Sequence, residues 1–288
     1  MTAELFALGN AFLFALHNVL TKKGLRYSNP ATALFISLAI NMIVLWAFSV
    51  LFVPARLFTH PGLFIFVLVG LFQPSASRFL TYKGIEKLGV AITDPIRAST
   101  PLFSAFLAIL FLDEQMTLPI LCATLLIIVG ITFLSQRDGS AQKFRILDIS
   151  YPILASLIAG LSQVLRKYGL GAVPYPVLGA AVTVSSSLVV TLITIRLSGK
   201  MKETLLFNKA SLRFFVAAGV VVSLAMVAVY YALYLGKVTV VIPIGSTGPL
   251  FTLILSALFL RDVERVTAKI VLGACMIIGG VLLITMWR

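Results

Sequence analysis

Residues Leu16–Leu25 read LHNVLTKKGL, and residues Leu161–Leu170 read LSQVLRKYGL; six of the ten positions agree at an offset of 145. A second pair follows in the same order. PIRASTPLF (Pro95–Phe103) is matched by PIGSTGPLF (Pro243–Phe251), and the two prolines keep their spacing at an offset of 148. Apolar segments share a small alphabet, so one such match carries little weight. Two in order, at nearly one offset, point to a chain made of two similar halves.

The material between these motifs is apolar. Of 288 residues, 60% are hydrophobic and 11% charged, and the mean hydropathy is +1.06. A soluble domain carries roughly 25% charged residues, so this chain cannot cover a core with water-facing charge, and lipid is its solvent. Ten apolar stretches lie near 3–21, 31–53, 62–82, 89–112, 116–135, 149–166, 175–197, 212–235, 238–260 and 266–287. Each is long enough to cross a hydrocarbon core of about 30 Å as a helix. An open sheet would strand backbone groups in lipid, and a barrel wall needs period-two alternation that these runs lack. The sequence therefore predicts an all-α integral membrane protein with ten transmembrane helices as two inverted five-helix repeats. The first repeat is 1–136, a connecting loop covers 137–147, and the second is 148–288. Five spans per half is an odd number, so the second half enters from the opposite side, which places a substrate site near the midplane between the halves.

The net charge of +13 and pI near 10 raise the question of nucleic acid. The basic residues lie in short clusters between apolar runs (Lys22, Lys23, Arg26; Arg137, Lys143, Arg145; Lys200, Lys202, Lys209, Arg213), where they meet lipid headgroups. No nucleic-acid module is recognisable. Links after the odd spans hold sixteen Lys/Arg, and those after the even spans with the C-terminal tail hold five, which puts the odd links in the cytoplasm and both termini outside. Glu4 and the lack of a basic leader make the first run a retained helix. Cys122 and Cys275 read as apolar fillers, and with His17 and His60 they form no metal-ligand spacing. No cofactor or metal is implied. The partners expected are a small-molecule substrate and membrane lipid, with no nucleic acid and no obligatory protein partner, in a multi-pass protein of the cell (inner) membrane.

The segments TPLFSAFLAILFLDEQMTLPILCATLLIIVGITFL (from Thr100) and TGPLFTLILSALFLRDVERVTAKIVLGACMIIGGVLLI (from Thr247) resemble the EamA-like, ten-helix branch of the drug/metabolite transporter superfamily. The shared features are a proline in the fourth span of each half, an acidic residue at its end (Glu114, Asp262), and a glycine in the closing helix (Gly130, Gly279). The resemblance covers nearly the whole chain. It implies an exporter or exchanger of metabolites, often amino acids. Many members of the superfamily keep both termini inside, whereas the loop charges here place them outside.

Candidate transport residues are polar groups inside the apolar runs. Asp94 and Arg97 are three apart on one face of span 4, where a mid-span charge costs at least about 2.5–3.5 kcal/mol. They read either as a structural ion pair or as a substrate site, with Arg97 gripping a carboxylate and Asp94 orienting it. Pro95, Pro101, Pro243 and Pro249 are hinge candidates, since each removes an amide donor and frees a carbonyl. Ser99, Thr100, Ser246 and Thr247 lie between them and either line the path or satisfy those carbonyls. His17 and Asn18 on span 1 and Gln163 on span 6 could bind substrate or join helices. Gln73, Arg78 and Tyr82 on span 3, and Tyr230 and Tyr231 on span 8, are further cavity candidates. There is no Walker motif for ATP and no acid/base constellation, so the chain is not expected to be an enzyme. The alternatives are a membrane enzyme acting on lipid-linked substrates and a carrier for drugs or organic cations.

The loop charges generate a topology test. In a cysteine-free background, a cysteine at position 140 or 203 should stay unlabelled by an impermeant thiol reagent on intact cells, while one at 288 should react. The reverse pattern would overturn the charge argument.

Overall fold

A computed structural model describes residues 1–88, 90–135, 145–197, 205–259 and 268–287. Thirteen helices are seen among them: α1 Thr2–Gly24, α2 Pro30–Phe52, α3 Leu63–Leu71, α4 Ser77–Leu88, α5 Val90–Ala98, α6 Thr100–Leu112, α7 Leu118–Ser135, α8 Ser150–Ala172, α9 Pro176–Leu197, α10 Lys209–Leu235, α11 Val238–Gly245, α12 Gly248–Phe259 and α13 Ala268–Trp287. Local chemistry explains several ends. Asn29 caps α2 by accepting from the Thr32 amide at 2.9 Å, with Pro30 at the first helical position, where no donor is needed. Glu4 in the first turn of α1 and Lys22 and Lys23 in its last complement the helix dipole.

Among the described residues, eight helical segments are long and apolar enough to cross a membrane: Thr2–Gly24, Pro30–Phe52, Leu63–Thr81, Leu147–Ala172, Pro176–Leu197, Lys209–Leu235, Val238–Leu255 and Lys269–Trp287. Ile96–Leu112 and Leu118–Leu134 are apolar but shorter. The ten expected stretches coincide in position with these ten segments, and two fall below spanning length. Another expectation needs correction. The sixth stretch is expected to end at 166, which leaves Lys167 in the link, but α8 continues to Ala172, so Lys167 belongs to a helix.

The packing follows a regular exchange between halves. α1 lies along α10 and touches α11 and α12, and α8 lies along α3 and α4 and touches α5 and α6. α2 packs on α10, and α9 packs on α3; α2 and α9 also meet each other, as do α7 and α13. α1 and α10 run antiparallel, since Asn10 Nδ2 donates to Ala225 O (2.9 Å) and His17 Nδ1 donates to Ala218 O (3.0 Å).

Two close approaches fix this arrangement. Phe66, fully buried, has its ring against Gly169 and Gly179, and a Cβ at either position would lie 2.8 Å from that ring. On the far side α7 and α13 cross backbone to backbone. A Cβ on Gly130 would lie 2.7 Å from Gly273 O, one on Gly273 would lie 2.7 Å from Gly130 O, and one on Gly280 would lie 2.8 Å from Ala123 O. These pairs run in opposite directions along the two helices, which are antiparallel. Gly279, singled out in the sequence, has only ordinary contact there, 3.6 Å from Leu126.

Overpacking costs about 1–3 kcal/mol, so Gly273→Ala should lower the melting temperature of the purified protein by several degrees. Gly279→Ala should leave it nearly unchanged. Equal melting temperatures for the two variants would show that the α7–α13 approach is looser than described.

Candidate functional site

The third span is interrupted between α3 and α4. At Phe72–Ala76 the helix gives way, and Gln73 adopts an extended backbone (φ −133°, ψ 131°). Such a break frees carbonyls that lipid cannot satisfy. The Ser187 hydroxyl of α9 supplies the donor, shared between Gly70 O (3.0 Å) and Gln73 O (2.8 Å).

With its backbone held this way, the Gln73 side chain reaches α8. Its Oε1 accepts from Arg166 Nη2 at 3.1 Å, and Gln163, one turn earlier on α8, accepts from Arg166 Nη1 at 3.1 Å. The guanidinium carbon lies 5.3 Å from the Tyr230 ring centroid, within range of a cation–π attraction. Tyr230 is fully buried, and its hydroxyl meets Thr183 Oγ1 at 2.6 Å. Arg166 is only 6% exposed. Its Nε has no hydrogen-bond partner, and no carboxylate among the described residues pairs with it.

The structure thus brings Gln73, Gln163 and Tyr230 together around Arg166, which is not among the candidates read from the sequence. The other candidates lie elsewhere. His17 is buried and bonded to α10, Asn18 is exposed, and Tyr231 stacks on Phe6 at 5.5 Å. Arg97 is half-buried in the last turn of α5. The side chains of Arg78, Tyr82, Asp94 and Pro95 lie outside the described residues. So does Asp262.

The proline segments are breaks. Between α5 and α6 the turn falls at Ser99, and between α11 and α12 at Ser246 and Thr247. Pro101 and Pro243 are buried, and Pro249 is exposed. Pro101 removes the donor for Arg97 O, and the Thr100 hydroxyl takes that carbonyl at 2.7 Å. Ser99 donates to Ile96 O, Ser246 to Ile242 O (2.8 Å) and Thr247 to Ile244 O (2.8 Å). All four hydroxyls serve their own backbone. Thr247 also borders a cleft of about 130 Å³ between α1, α12 and α13, whose exposed walls are apolar. That cleft lies apart from Arg166.

Lys167 and Glu114 hold the turn between α10 and α11. Lys167 Nζ donates to Leu233 O (2.7 Å), Gly236 O (2.9 Å) and Tyr234 O (3.4 Å), the carbonyls that end α10. Glu114, buried, accepts from the amides of Val238 (2.7 Å) and Thr239 (2.9 Å) and from the Thr239 hydroxyl (2.9 Å), the groups that begin α11. A cation on a helix C-terminus and an anion on the next N-terminus match both dipoles. The signal for α8 reaching past Lys167 was present: the repeat extends to Leu170, and the next prolines are Pro174 and Pro176. An unsatisfied buried donor costs about 1–3 kcal/mol. Glu114→Ala, which strands three, should therefore lower thermal stability markedly, and Glu114→Gln should lower it less. Equal melting of Glu114→Ala and wild type would remove the capping role.

Comparison with known proteins agrees with this architecture. A solved crystal structure of a protein, 14% identical, superposes with a TM-score of 0.81 over 99% of this chain and 96% of that one. An uncharacterized transporter of Archaeoglobus fulgidus is 23% identical over 291 aligned positions, covering 99% of this chain and 98% of its own. An uncharacterized protein of Methanocaldococcus jannaschii is 35% identical over 86 residues, 30% of this chain and 61% of that relative's length. The sequence profile of the EamA-like transporter family matches residues 1–136 and 147–286. Each match takes one half of the molecule, and the chain belongs to the EamA-like transporter family, a multi-pass membrane transporter.

Proposed function

We propose that this chain is a secondary transporter of small polar metabolites, amino acids first, that exports or exchanges them across the cell (inner) membrane by alternating access without ATP. The observation that carries this reading is the pair of matched helix breaks, at Ser99 in the first half and at Ser246–Thr247 in the second. A break whose carbonyls are satisfied by nearby hydroxyls can bend without exposing them to lipid, which suits segments that move as the two halves rock. The exchange pattern of the packing supports ten spans in two inverted repeats. Each contact of α1 with α10 and α11–α12 has a counterpart in those of α8 with α3–α4 and α5–α6.

Arg97 is proposed to face the path beside the first break, with Asp94 orienting it. The buried guanidinium of Arg166, unpaired by any carboxylate among the described residues, disfavours a cationic cargo and so weighs against the organic-cation alternative.

In proteoliposomes preloaded with unlabelled amino acids, the purified protein should accumulate labelled amino acid by counterflow with no nucleotide present. Arg97→Leu should reduce that flux while the protein still purifies normally. Restored flux in an Asp94/Arg97 double variant would assign the pair to structure. Hydrolysis of a lipid-linked substrate without any solute flux would sink the transport reading.

A further inference from the structure

We infer that Arg166 is the fixed cation of a carboxylate-binding site, built from α8, the break at Gln73 and α10, which selects the carried solute by its carboxylate. The identity of the solute as cargo rests on the reading above; the binding site does not. A guanidinium stays charged in any protein environment, so Arg166 cannot escape burial by losing its proton. Its surroundings compensate it only in part. Two neutral amide oxygens, from Gln73 and Gln163, take one N–H each, and the Tyr230 ring lies against its face. Of the five N–H groups on a guanidinium, the one on Nε is buried with no partner.

Two of the buried carboxylates among the described residues are committed elsewhere. Glu114 is spent on α11, and Glu4 lies 2.8 Å from the N-terminal amine. α5, which bears Asp94, meets α8 where Ser156 donates to Ile96 O at 3.3 Å. That is ten residues from Arg166, about 15 Å of helix rise. A planar carboxylate matches the guanidinium fork and supplies the missing charge. The site is one-sided, because in the repeat alignment Thr21 stands where the second half has Arg166. Gln73 and Gln163 are both half-buried, so the polar rim of the cluster is reachable from outside the packed core.

The test uses full-length protein in two formats. In detergent, melting is followed against common L-amino acids, short mono- and dicarboxylates, the amines and amides that lack only the carboxylate, and inorganic phosphate. In liposomes, the same compounds compete in counterflow. At least one acid should raise the melting temperature of the wild type while its amine and amide do not. Arg166→Gln should weaken that acid by at least about 30-fold, and Arg166→Lys should restore part of the loss, since a point charge lacks the fork. Should Arg166→Gln fail to fold, the contrast between acid and amine in an Arg97→Leu background, where Arg97 cannot supply it, decides: its persistence upholds the site and its loss overturns it.

The proposal falls if acid and amine bind equally, if phosphate alone binds, if no acid binds, or if a folded Arg166→Gln protein binds the acid as well as wild type. Acid-selective binding without counterflow would uphold the site and defeat the transport reading. Flux of amines without acid binding would do the reverse.

Discussion

In hydrocarbon every backbone amide and carbonyl must find its partner within the protein, and most of the polar side chains described here are spent on that requirement. Where the chain is continuous helix, nothing further is needed. At several of the stops and breaks a side chain supplies the partner. Ser187 holds the carbonyls of the Gln73 break, Thr100 holds the one that Pro101 frees, and Ser246 and Thr247 hold their own turn. The connection from α10 to α11 has no room for a loop, only Gly236 and Lys237 between the helices. There the chain uses full charges, Lys167 on the carbonyls and Glu114 on the amides. The choice of charge over hydroxyl follows from number, since several orphan groups converge at two helix ends, and an ammonium brings three hydrogens and a carboxylate two acceptor oxygens where a hydroxyl has one hydrogen to share.

That accounting separates the residues with a structural task from those without one. Lys167 and Glu114 are adjacent in space to the Arg166 cluster through α8 and α11, yet they neutralise helix ends and leave nothing over. Arg166 caps no helix. Its partners are the side chains of two glutamines and a tyrosine, and a buried cation so held is expensive unless something else repays it. Tyr230 is fixed by Thr183, and Gln73 by the shape of its own backbone. The guanidinium is therefore held in orientation by its neighbours, which would reduce the ordering cost of the binding proposed above.

Much of this was legible in the sequence. The apolar runs gave the helices within a few residues, and the proline pairs gave both breaks. The hydroxyls between the prolines were read with two uses open, and the structure assigns all four to the backbone. The Arg166 cluster was legible only in pieces. Gln73, Gln163 and Tyr230 were each singled out as polar residues in apolar spans, but they come from three helices far apart in sequence, and no spacing rule joins them. Arg166 was missed for a physical reason: a pair of basic residues at the end of an apolar run ordinarily marks the headgroup boundary. Here the helix runs on for six residues beyond Arg166, through Gly169, which the Phe66 ring needs, and ends before two prolines. The glycines of α7 and α13 show the same limit. Sequence shows that a glycine is present, and only the crossing shows that Gly273 and Gly280 are the ones that cannot change.

The two halves are alike in frame and unlike in charge. Arg97 in the first half aligns with Gly245 in the second, and Arg166 in the second aligns with Thr21 in the first. If the halves exchange roles during alternating access, a perfectly symmetric frame would make its two end states equal in energy. Fixed cations at unmatched positions would break that equality for an anionic group, because it would meet different fields in the two end states. The Ile96–Ser156 contact places the segment bearing Arg97 near one end of α8, and Arg166 lies near the other, about 15 Å of helix rise away. At that separation, with an effective dielectric constant near 20, two unit charges still interact by about 1 kcal/mol. A carboxylate handed between such stations would feel both. In the proposed carrier the duplicated scaffold would supply the motion, and the arginines that the duplication does not share would set which end state an anionic solute favours, while net flux follows the gradient.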